Sequence, residues 1–215
     1  MMTSPEFFRK HMGEILANIK SQVPDHHFEF TDPFWVLVAA MLSHRTRDEV
    51  TDSAARSLYI RYKKCEELAK ASYDEVLMLI HNVGFRSVKA RRIIEAARFL
   101  SEHHGCKVPP DLDSLIEIAG VGRKTANVVL ADAFGIPAIA VDTHVHRISN
   151  RIGFSDSGDP AEVEKDLEEI VPRSMWVGFN PALVEFGKHV CLPRKPRCSI
   201  CSIRRFCNYN RDLTS

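Results

Sequence analysis

The chain has 215 residues, 45% of them hydrophobic, with 29 lysines and arginines against 28 aspartates and glutamates. This length suits one large or two small domains, and no run approaches the roughly eighteen apolar residues that a membrane span needs. The net charge of +1 does not mark the whole chain as a nucleic-acid binder, and no secretion signal is visible. We therefore expect a soluble intracellular protein.

Helical apolar spacing recurs along most of the chain, and few stretches resemble strands. Asp, Ser, Pro and Gly punctuate the periodic segments, as in DPFW, KVPPDLDS and SDSGDPAE. The sequence therefore predicts an all-α protein, with helices at residues 34–42, 50–62, 74–80, 87–100, 112–118, 124–134 and 161–170.

Two of these helical regions contain similar segments. LIHNVGFRSVKA (79–90) and LIEIAGVGRKTA (115–126) share Leu-Ile, a glycine five residues after the leucine, and an alanine six residues beyond that glycine. Two helix–hairpin–helix corners would explain the similarity, because such corners often have glycine at the turn. Chance similarity between two helical hairpins is the alternative.

The second segment contains Gly120, Val121, Gly122 and Arg123 between two apolar helical stretches. Glycines ahead of a helix let the backbone approach a phosphate, and the first N–H groups of the helix attract an anion. We predict that residues 120–123 form an anion site that positions a phosphate without reading a base. A nucleotide P-loop does not fit, because its pattern needs the lysine directly after the last glycine, where Arg123 stands.

Lys124 lies in the first turn of the helix that follows, beside Arg123 and next to the positive end of the helix dipole. Both neighbours disfavour its charged form, so Lys124 can serve as an amine nucleophile. A cation that contacts a nearby phosphate is the alternative, and the residues alone leave both open.

The chain then reads IPAIAVDTHVHRISNRIG. Asp142, or the threonine after it, can cap a helix that carries His144, Arg147 and Arg151 on one basic face, toward solvent or DNA. If IPAIAV is a strand instead, Asp142, His144 and His146 share one face and suit a hydrolytic metal site. The lack of neighbouring strands favours the helix.

Four cysteines near the end follow the spacing C-x6-C-x2-C-x5-C: Cys191, Cys198, Cys201 and Cys207. Four thiolates this close indicate a metal centre, either a 4Fe–4S cluster or a four-thiolate zinc site. Zinc usually comes with two C-x2-C pairs, and the single pair here favours iron–sulfur. Arg194 and Lys195 lie in the first loop, within a basic run that is either a phosphate-binding patch or an ordinary solvated surface.

The remaining cysteines, Cys65 and Cys106, are isolated in the sequence. A protein without an export signal is not expected to rely on disulfides. We therefore expect both to be ordinary thiols.

Together, LIEIAGVGRKTANVVL, VDTHVHRISNRIG and the cysteine spacing resemble endonuclease III, of the helix–hairpin–helix DNA glycosylase superfamily. The resemblance covers nearly the whole chain in the same order. It implies two α-helical domains with a DNA-binding cleft between them. One is a six-helix domain with the hairpin, at residues 26–136; the other joins residues 1–25 to 137–215 and carries an iron–sulfur cluster in the loop 188–208.

The resemblance also implies roles for single residues. Lys124 takes the place of the catalytic lysine, Asp142 that of the catalytic aspartate, and the four terminal cysteines those of the 4Fe–4S ligands. A damaged base would be flipped out of the stack, Lys124 would attack C1′ and expel it, and β-elimination from the Schiff base would nick the strand. The implied partner is damaged double-stranded DNA, bound by a monomer in a prokaryotic cytoplasm, at the nucleoid.

Three positions refine the resemblance. Ala39 stands where adenine-mismatch glycosylases carry a glutamate, and alanine cannot protonate a purine. Arg45 stands where many endonuclease III sequences have a glutamine that is thought to fill the hole left by the flipped base; its guanidinium could do so while bonding the orphan base. Phe85 stands where a wedge residue would enter the duplex, with a core aromatic as the alternative.

We therefore expect a bifunctional DNA glycosylase and AP lyase that removes oxidised pyrimidines from duplex DNA. A monofunctional relative would use water and lack the lysine, so Lys124 favours the lyase. The alternatives are a mismatch thymine or uracil glycosylase of the same fold, and a non-catalytic, metal-containing DNA-binding protein in which Lys124 contacts phosphate.

Overall fold

The structure is a computed structural model that describes residues 4–25 and 29–210. No β-strand occurs in these residues, which confirms the all-α prediction. None of the helices in the same ranges combines the length and the apolar character needed to cross a membrane.

The α-helices are α1 (Pro5–Ser21), α2 (Pro33–Ser43), α3 (Asp48–Arg61), α4 (Cys65–Ala69), α5 (Tyr73–Leu79), α6 (Arg86–His103), α7 (Leu112–Glu117), α8 (Arg123–Phe134), α9 (Thr143–Ile152), α10 (Pro160–Ile170) and α11 (Phe179–His189). Short 3₁₀ turns lie at Arg173–Met175, Cys198–Ile200 and Arg204–Phe206.

All seven helical segments read from the apolar spacing are helices: α2, α3, α5, α6, α7, α8 and α10. The two similar segments both form helix–turn–helix corners, α5–α6 and α7–α8, so the shared glycines stand at turns. Helices α1, α4 and α11 were not predicted from the spacing. Helix α4 has only five residues, and α11 contains a proline near its start and a glycine near its end, which disguise its pattern.

The chain divides into two units, Phe28–Ile136 and a discontinuous one made of Met1–His27 and Pro137–Ser215. Residue 26, where the predicted helical domain begins, lies outside the described residues. The 28–136 unit contains seven described helices, α2 to α8, rather than the predicted six. The additional one is the short α4.

The 28–136 unit is built around α2, which packs against α3, α6 and α8. Its sequence PFWVLVAAMLS is apolar on every side, as expected of a helix surrounded by others. Asp32 fixes where it starts, because its carboxylate accepts hydrogen bonds from the N–H groups of Phe34 and Trp35, at 3.0 and 3.2 Å. The following loop, residues 44–47, is thereby placed at the opposite end of a buried, rigid element.

The discontinuous unit has its own core, which joins α1 to helices that come more than a hundred residues later. Helix α1 packs against α10 and α11, and α9 packs against both of these. Its apolar face, Phe8, Met12, Ile15 and Ile19, is buried at 1% exposure or less. These side chains form one cluster with apolar residues of α9, α10 and α11.

Cys65 and Cys106 form a disulfide, so the prediction of two ordinary thiols was wrong. The two cysteines are 41 residues apart in sequence, but their Cα atoms lie 5.7 Å apart. Helices α4 and α6 pack together, and this contact brings the start of α4 to the residues that follow α6. Pairing at that distance could not be read from isolated cysteines.

Replacing both cysteines by serine should lower the free energy of unfolding by about 4 kcal/mol, because a disulfide that closes a loop of this length restricts the unfolded chain. Chemical denaturation of the double variant and the oxidised parent measures the difference. Alkylation and mass spectrometry of the denatured parent provide the control. If Cys65 and Cys106 are alkylated without reductant, the bond is not formed in solution.

Candidate nucleic-acid interface and cysteine site

The α7–α8 corner is a tight turn that requires one glycine. Gly120 has φ +84°, in the left-handed region, and a Cβ there would lie 2.6 Å from Cδ of Arg92. The turn is closed by the N–H of Val121, which donates to the carbonyl of Ile118 at 2.9 Å. The N–H of Val121 is therefore used within the protein, and its side chain is buried, which limits its predicted part in binding a phosphate.

Gly122 caps the N-terminus of α8 and faces open space. Its φ of −100° is available to any residue, and a Cβ there would meet no atom within 4 Å. Behind it, the first N–H groups of α8 lack helical partners and carry the positive end of the helix dipole. Arg123 is exposed at the first helical position. The described residues thus leave room for an anion at this helix start.

Lys124 is half-buried in the first turn of α8 and belongs to a positively charged part of the 28–136 unit. The pKa of His44 records this environment. Partial desolvation is the largest cause that lowers the pKa of His44. The positive charges of four neighbours lower this pKa further: Lys89, Arg45, Lys124 and Arg92. Concentrated positive charge of this kind suits a polyanionic ligand.

Asp132 lies two turns further along α8 from Lys124 and was not predicted. Burial raises the pKa of Asp132 to about 7, and the positive charge of Lys124 opposes that rise. The carboxyl group is therefore partly protonated at neutral pH. Asp132 therefore neutralises the positive charge of Lys124 only in part.

Arg45 and Phe85 project side by side from two adjoining turns of the same unit. Both have left-handed backbones, with φ of 52° and 57°, and the guanidinium carbon of Arg45 lies 5.7 Å from the Phe85 ring centroid. Phe85 is 62% exposed, so the alternative of a core aromatic was wrong. We call Arg45 and Phe85 the wedge pair.

Asp142 caps α9. Its Oδ1 accepts hydrogen bonds from the N–H groups of His144 and Val145, at 2.9 and 2.8 Å, which fixes the orientation of the carboxylate. The segment before it is not a strand, so the hydrolytic metal-site interpretation was wrong. His146 instead places its Nε2 3.2 Å from the carbonyl of Gly158.

The half-buried basic side chains of α9 make hydrogen bonds within their own unit, and the contacts of His144 and Arg147 with DNA stay a prediction. Arg147 donates to the carbonyls of Gly187 and Cys191, at 3.2 and 2.9 Å, and burial lowers its pKa. Its Nη2 also lies 3.2 Å from Nδ1 of the half-buried His144. Arg151 donates to the carbonyl of Leu192 at 2.7 Å. These arginines hold the start of the cysteine loop.

The four terminal cysteines line one pocket together with apolar side chains: Cys191, Cys198, Cys201, Cys207, Ile152, Phe186, Val190 and Ile203. None of the four is in a disulfide, and each is half-buried. Burial raises the pKa of Cys201 to about 11 and also raises that of Cys207. Metal ligation needs thiolates, so binding a metal here would release protons.

Among the described residues, no group of three or more His, Cys, Asp or Glu is arranged to hold a metal ion. Arg194 and Lys195 are exposed at the tip of the loop between Cys191 and Cys198.

Four titratable or charged residues of the 28–136 unit were not singled out from the sequence: His44, Lys89, Arg92 and Asp132. A lysine or arginine on an amphipathic helix looks like a solvent-exposed residue, and nothing in the pattern marked Lys89 as buried. For Asp132, a carboxylate among the apolar residues VVLADAF was a usable signal.

Comparison with known proteins agrees with this geometry. Residues 38–173 match the family model described as "HhH-GPD superfamily base excision DNA repair protein". Endonuclease III of Thermotoga maritima is 44% identical over 198 residues, 92% of each chain. A solved structure of a trapped endonuclease III–DNA covalent intermediate matches with a TM-score of 0.88 at 33% identity, covering 96% of this chain and 99% of that one.

A thermostable thymine-DNA glycosylase matches with a TM-score of 0.83 at 27% identity, covering 95% of this chain and 97% of that one. The helix–hairpin–helix has a lysine at the start of its second helix, and the family model spans more than half of the chain. Together these features define a base-excision-repair fold. The chain belongs to the HhH-GPD superfamily of base excision DNA repair proteins.

The two glycines of the hairpin should respond differently to alanine. Gly120→Ala should lower the free energy of unfolding by roughly 1–3 kcal/mol, because it forces a left-handed alanine against Arg92. Gly122→Ala is the matched control and should leave stability within about 0.5 kcal/mol. Thermal and urea unfolding measure both; equal losses would contradict the turn geometry.

Proposed function

We propose that this base-excision-repair DNA glycosylase and AP lyase acts, as a monomer, on oxidised pyrimidines in double-stranded DNA. The observation that carries the proposal is the position of Lys124, in the first turn of α8 behind the open hairpin turn, in a chain of this family. The relatives are bacterial enzymes, which supports a place in a prokaryotic cytoplasm, at the nucleoid.

The hairpin would hold the DNA backbone. Gly122 leaves space for a phosphate in front of α8, and the helix N-terminus and Arg123 supply N–H groups and positive charge. Because these contacts are to phosphate, they would position the duplex without selecting a sequence. The exposed Arg194 and Lys195 would add phosphate contacts from the cysteine loop.

The wedge pair would enter the duplex. Phe85 would insert between base steps, and the guanidinium of Arg45 would occupy the space left by the flipped base, where it can bond the base opposite. Their exposure and mutual contact support this role.

Lys124 would then perform the chemistry. Its neutral amine attacks C1′ of the flipped nucleotide, an N–C1′ bond forms, and the glycosidic bond breaks, with the base leaving on the electron pair and gaining a proton. Opening of the C1′–O4′ bond gives the Schiff base. Loss of a C2′ proton expels the phosphate from C3′, which nicks the strand on the 3′ side. Water hydrolyses the imine and restores Lys124.

Asp142 would support positive charge that develops on the sugar, or help to deprotonate Lys124. The two hydrogen bonds to its Oδ1 support this role, because they hold the carboxylate in one orientation.

We further propose that Cys191, Cys198, Cys201 and Cys207 hold a 4Fe–4S cluster. Their shared, apolar-lined pocket fits such a group, and the single C-x2-C pair in their spacing favours it over a four-thiolate zinc site. When bound, the cluster would supply structural cross-linking of the loop. Arg147 and Arg151 hold the same loop through its carbonyls.

A mismatch thymine or uracil glycosylase is the second candidate. The specific observations are Arg45 at a position where a glutamine is usual in the resembling family, and the structural match to a thymine-DNA glycosylase. A guanidinium could bond an orphan guanine, which would favour G·T or G·U substrates.

Borohydride trapping distinguishes these candidates. Labelled duplexes carrying thymine glycol, a G·U pair, or no lesion are incubated with the parent protein and with Lys124→Ala. We expect a covalent adduct with thymine glycol only, and its complete loss in Lys124→Ala while DNA binding persists within about threefold. The exposed Lys70→Met is a matched control and should trap like the parent.

Each other result has a defined meaning. An adduct with G·U alone would keep the Schiff-base mechanism and replace the substrate. No adduct with any lesion, despite tight binding, would leave a non-catalytic DNA-binding protein. Loss of binding in Lys124→Ala would make Lys124 a phosphate contact.

The metal prediction has its own measurement. We expect the purified protein to show a broad visible absorption band, typical of a 4Fe–4S cluster, with about four irons per chain. Cys198→Ser should lose most of that band, while serine at the disulfide cysteines should retain it. Zinc release on acidification, without iron, would overturn the cluster.

A further inference from the structure

Lys89 is a buried lysine that the proposed chemistry does not use. It lies in the first turns of α6 with 7% of its surface exposed. Its Nζ donates three hydrogen bonds, to the carbonyls of Leu42 and His44, both at 2.6 Å, and to the hydroxyl Oγ1 of Thr46, at 2.8 Å. One ammonium thus satisfies its three donors on a five-residue stretch of another element.

The three acceptors lie at the C-terminal end of α2 and in the loop 44–47 that follows. The last carbonyls of a helix have no partner within it and carry the negative end of the dipole, so a buried cation is well placed there. Lys89 therefore caps the C-terminal end of α2 and holds the loop 44–47 in one direction. Arg45 is in the centre of this loop and has a left-handed backbone.

The same loop lies against the α5–α6 turn. A Cβ on Gly84 would be 2.8 Å from the carbonyl oxygen of Arg45, so the two backbones touch where a side chain is missing. The next residue after Gly84 is Phe85. The two turns are thus packed backbone to backbone, with Lys89 joining them on the inside and the wedge pair on the outside.

Burying an ammonium group opposes folding unless hydrogen bonds compensate for its loss of hydration. Burial lowers the pKa of Lys89 to about 8, and the three hydrogen bonds offset the desolvation of the charge. A methionine would fill a similar volume without that cost. Packing alone therefore does not explain why a lysine occupies position 89.

We propose that Lys89 is a positioning residue that holds the loop 44–47 against the α5–α6 turn, so that Arg45 and Phe85 enter duplex DNA as one unit. The proposal rests on the proposed function. It concerns the opening of the duplex and not the attack by Lys124.

The test separates opening of the duplex from chemistry. One substrate carries an abasic site within a paired duplex, and the other carries it in an unpaired bulge, where the sugar is already outside the stack. Single-turnover borohydride trapping gives the rate on each. A third duplex carries a stable tetrahydrofuran abasic analogue opposite 2-aminopurine, whose fluorescence reports insertion without any reaction.

Lys89→Met should lower the trapping rate on the paired duplex about tenfold or more, which corresponds to the loss of charge-assisted hydrogen bonds, and leave the bulge rate within about twofold. It should also abolish the 2-aminopurine response. Gly84→Ala, which pushes the same loop outward without altering Lys89, should reproduce both effects. Lys89→Arg should recover part of the duplex rate, and the exposed Lys70→Met should match the parent.

Several outcomes would overturn the inference. They are an unchanged duplex rate in Lys89→Met, an equal fall on duplex and bulge, and a 2-aminopurine response that survives the substitution. A parent protein that traps neither abasic substrate would refute the proposed function instead, and the 2-aminopurine signal would still decide whether Lys89 controls insertion.

Discussion

The position of Lys124 in the 28–136 unit depends on the close contact of α6 with the α7–α8 corner at Gly120. Arg92 of α6 occupies the space in which any side chain at position 120 would stand. This contact sets the angle of the turn, and the turn sets where α8 begins. The first turn of α8 holds Lys124, so the position of the amine follows from a backbone conformation rather than from the lysine itself.

In each unit, one inward-facing cation holds a loop by donating hydrogen bonds to its carbonyl groups. Lys89 donates to carbonyls at the end of α2, and Arg147 donates to carbonyls around the first cysteine. In both cases a positive charge on a helix binds the unpaired oxygens of an irregular segment. Each segment carries residues of the proposed site: Arg45 in one, Cys191 in the other. Charge inside the protein thus fixes loops that hydrophobic packing alone would leave variable.

The sequence predicted the parts of the fold and site that depend on local spacing. Apolar periodicity located α2 and α8, and glycines located the two corners. The direction of a polar face was a different matter. Arg147 and Arg151 do share a face of α9, but whether that face meets solvent or another segment depends on α11 and the cysteine loop, which are forty residues away. Lys89 and the Cys65–Cys106 bond were missed for the same reason, since long-range packing decides them.

The discontinuous unit has a consequence for synthesis on the ribosome. Helix α1 is synthesised before the 28–136 unit, yet the partners of its apolar face begin after residue 137. At a translation rate of about 5–20 residues per second, that face waits roughly 8–34 seconds until α9, α10 and α11 are complete. The 28–136 unit can fold in the interval, because its chain is continuous. The nascent chain would therefore expose the apolar face of α1 after the 28–136 unit has folded. A chaperone that covers Phe8 and Met12 would protect this face from aggregation during that delay.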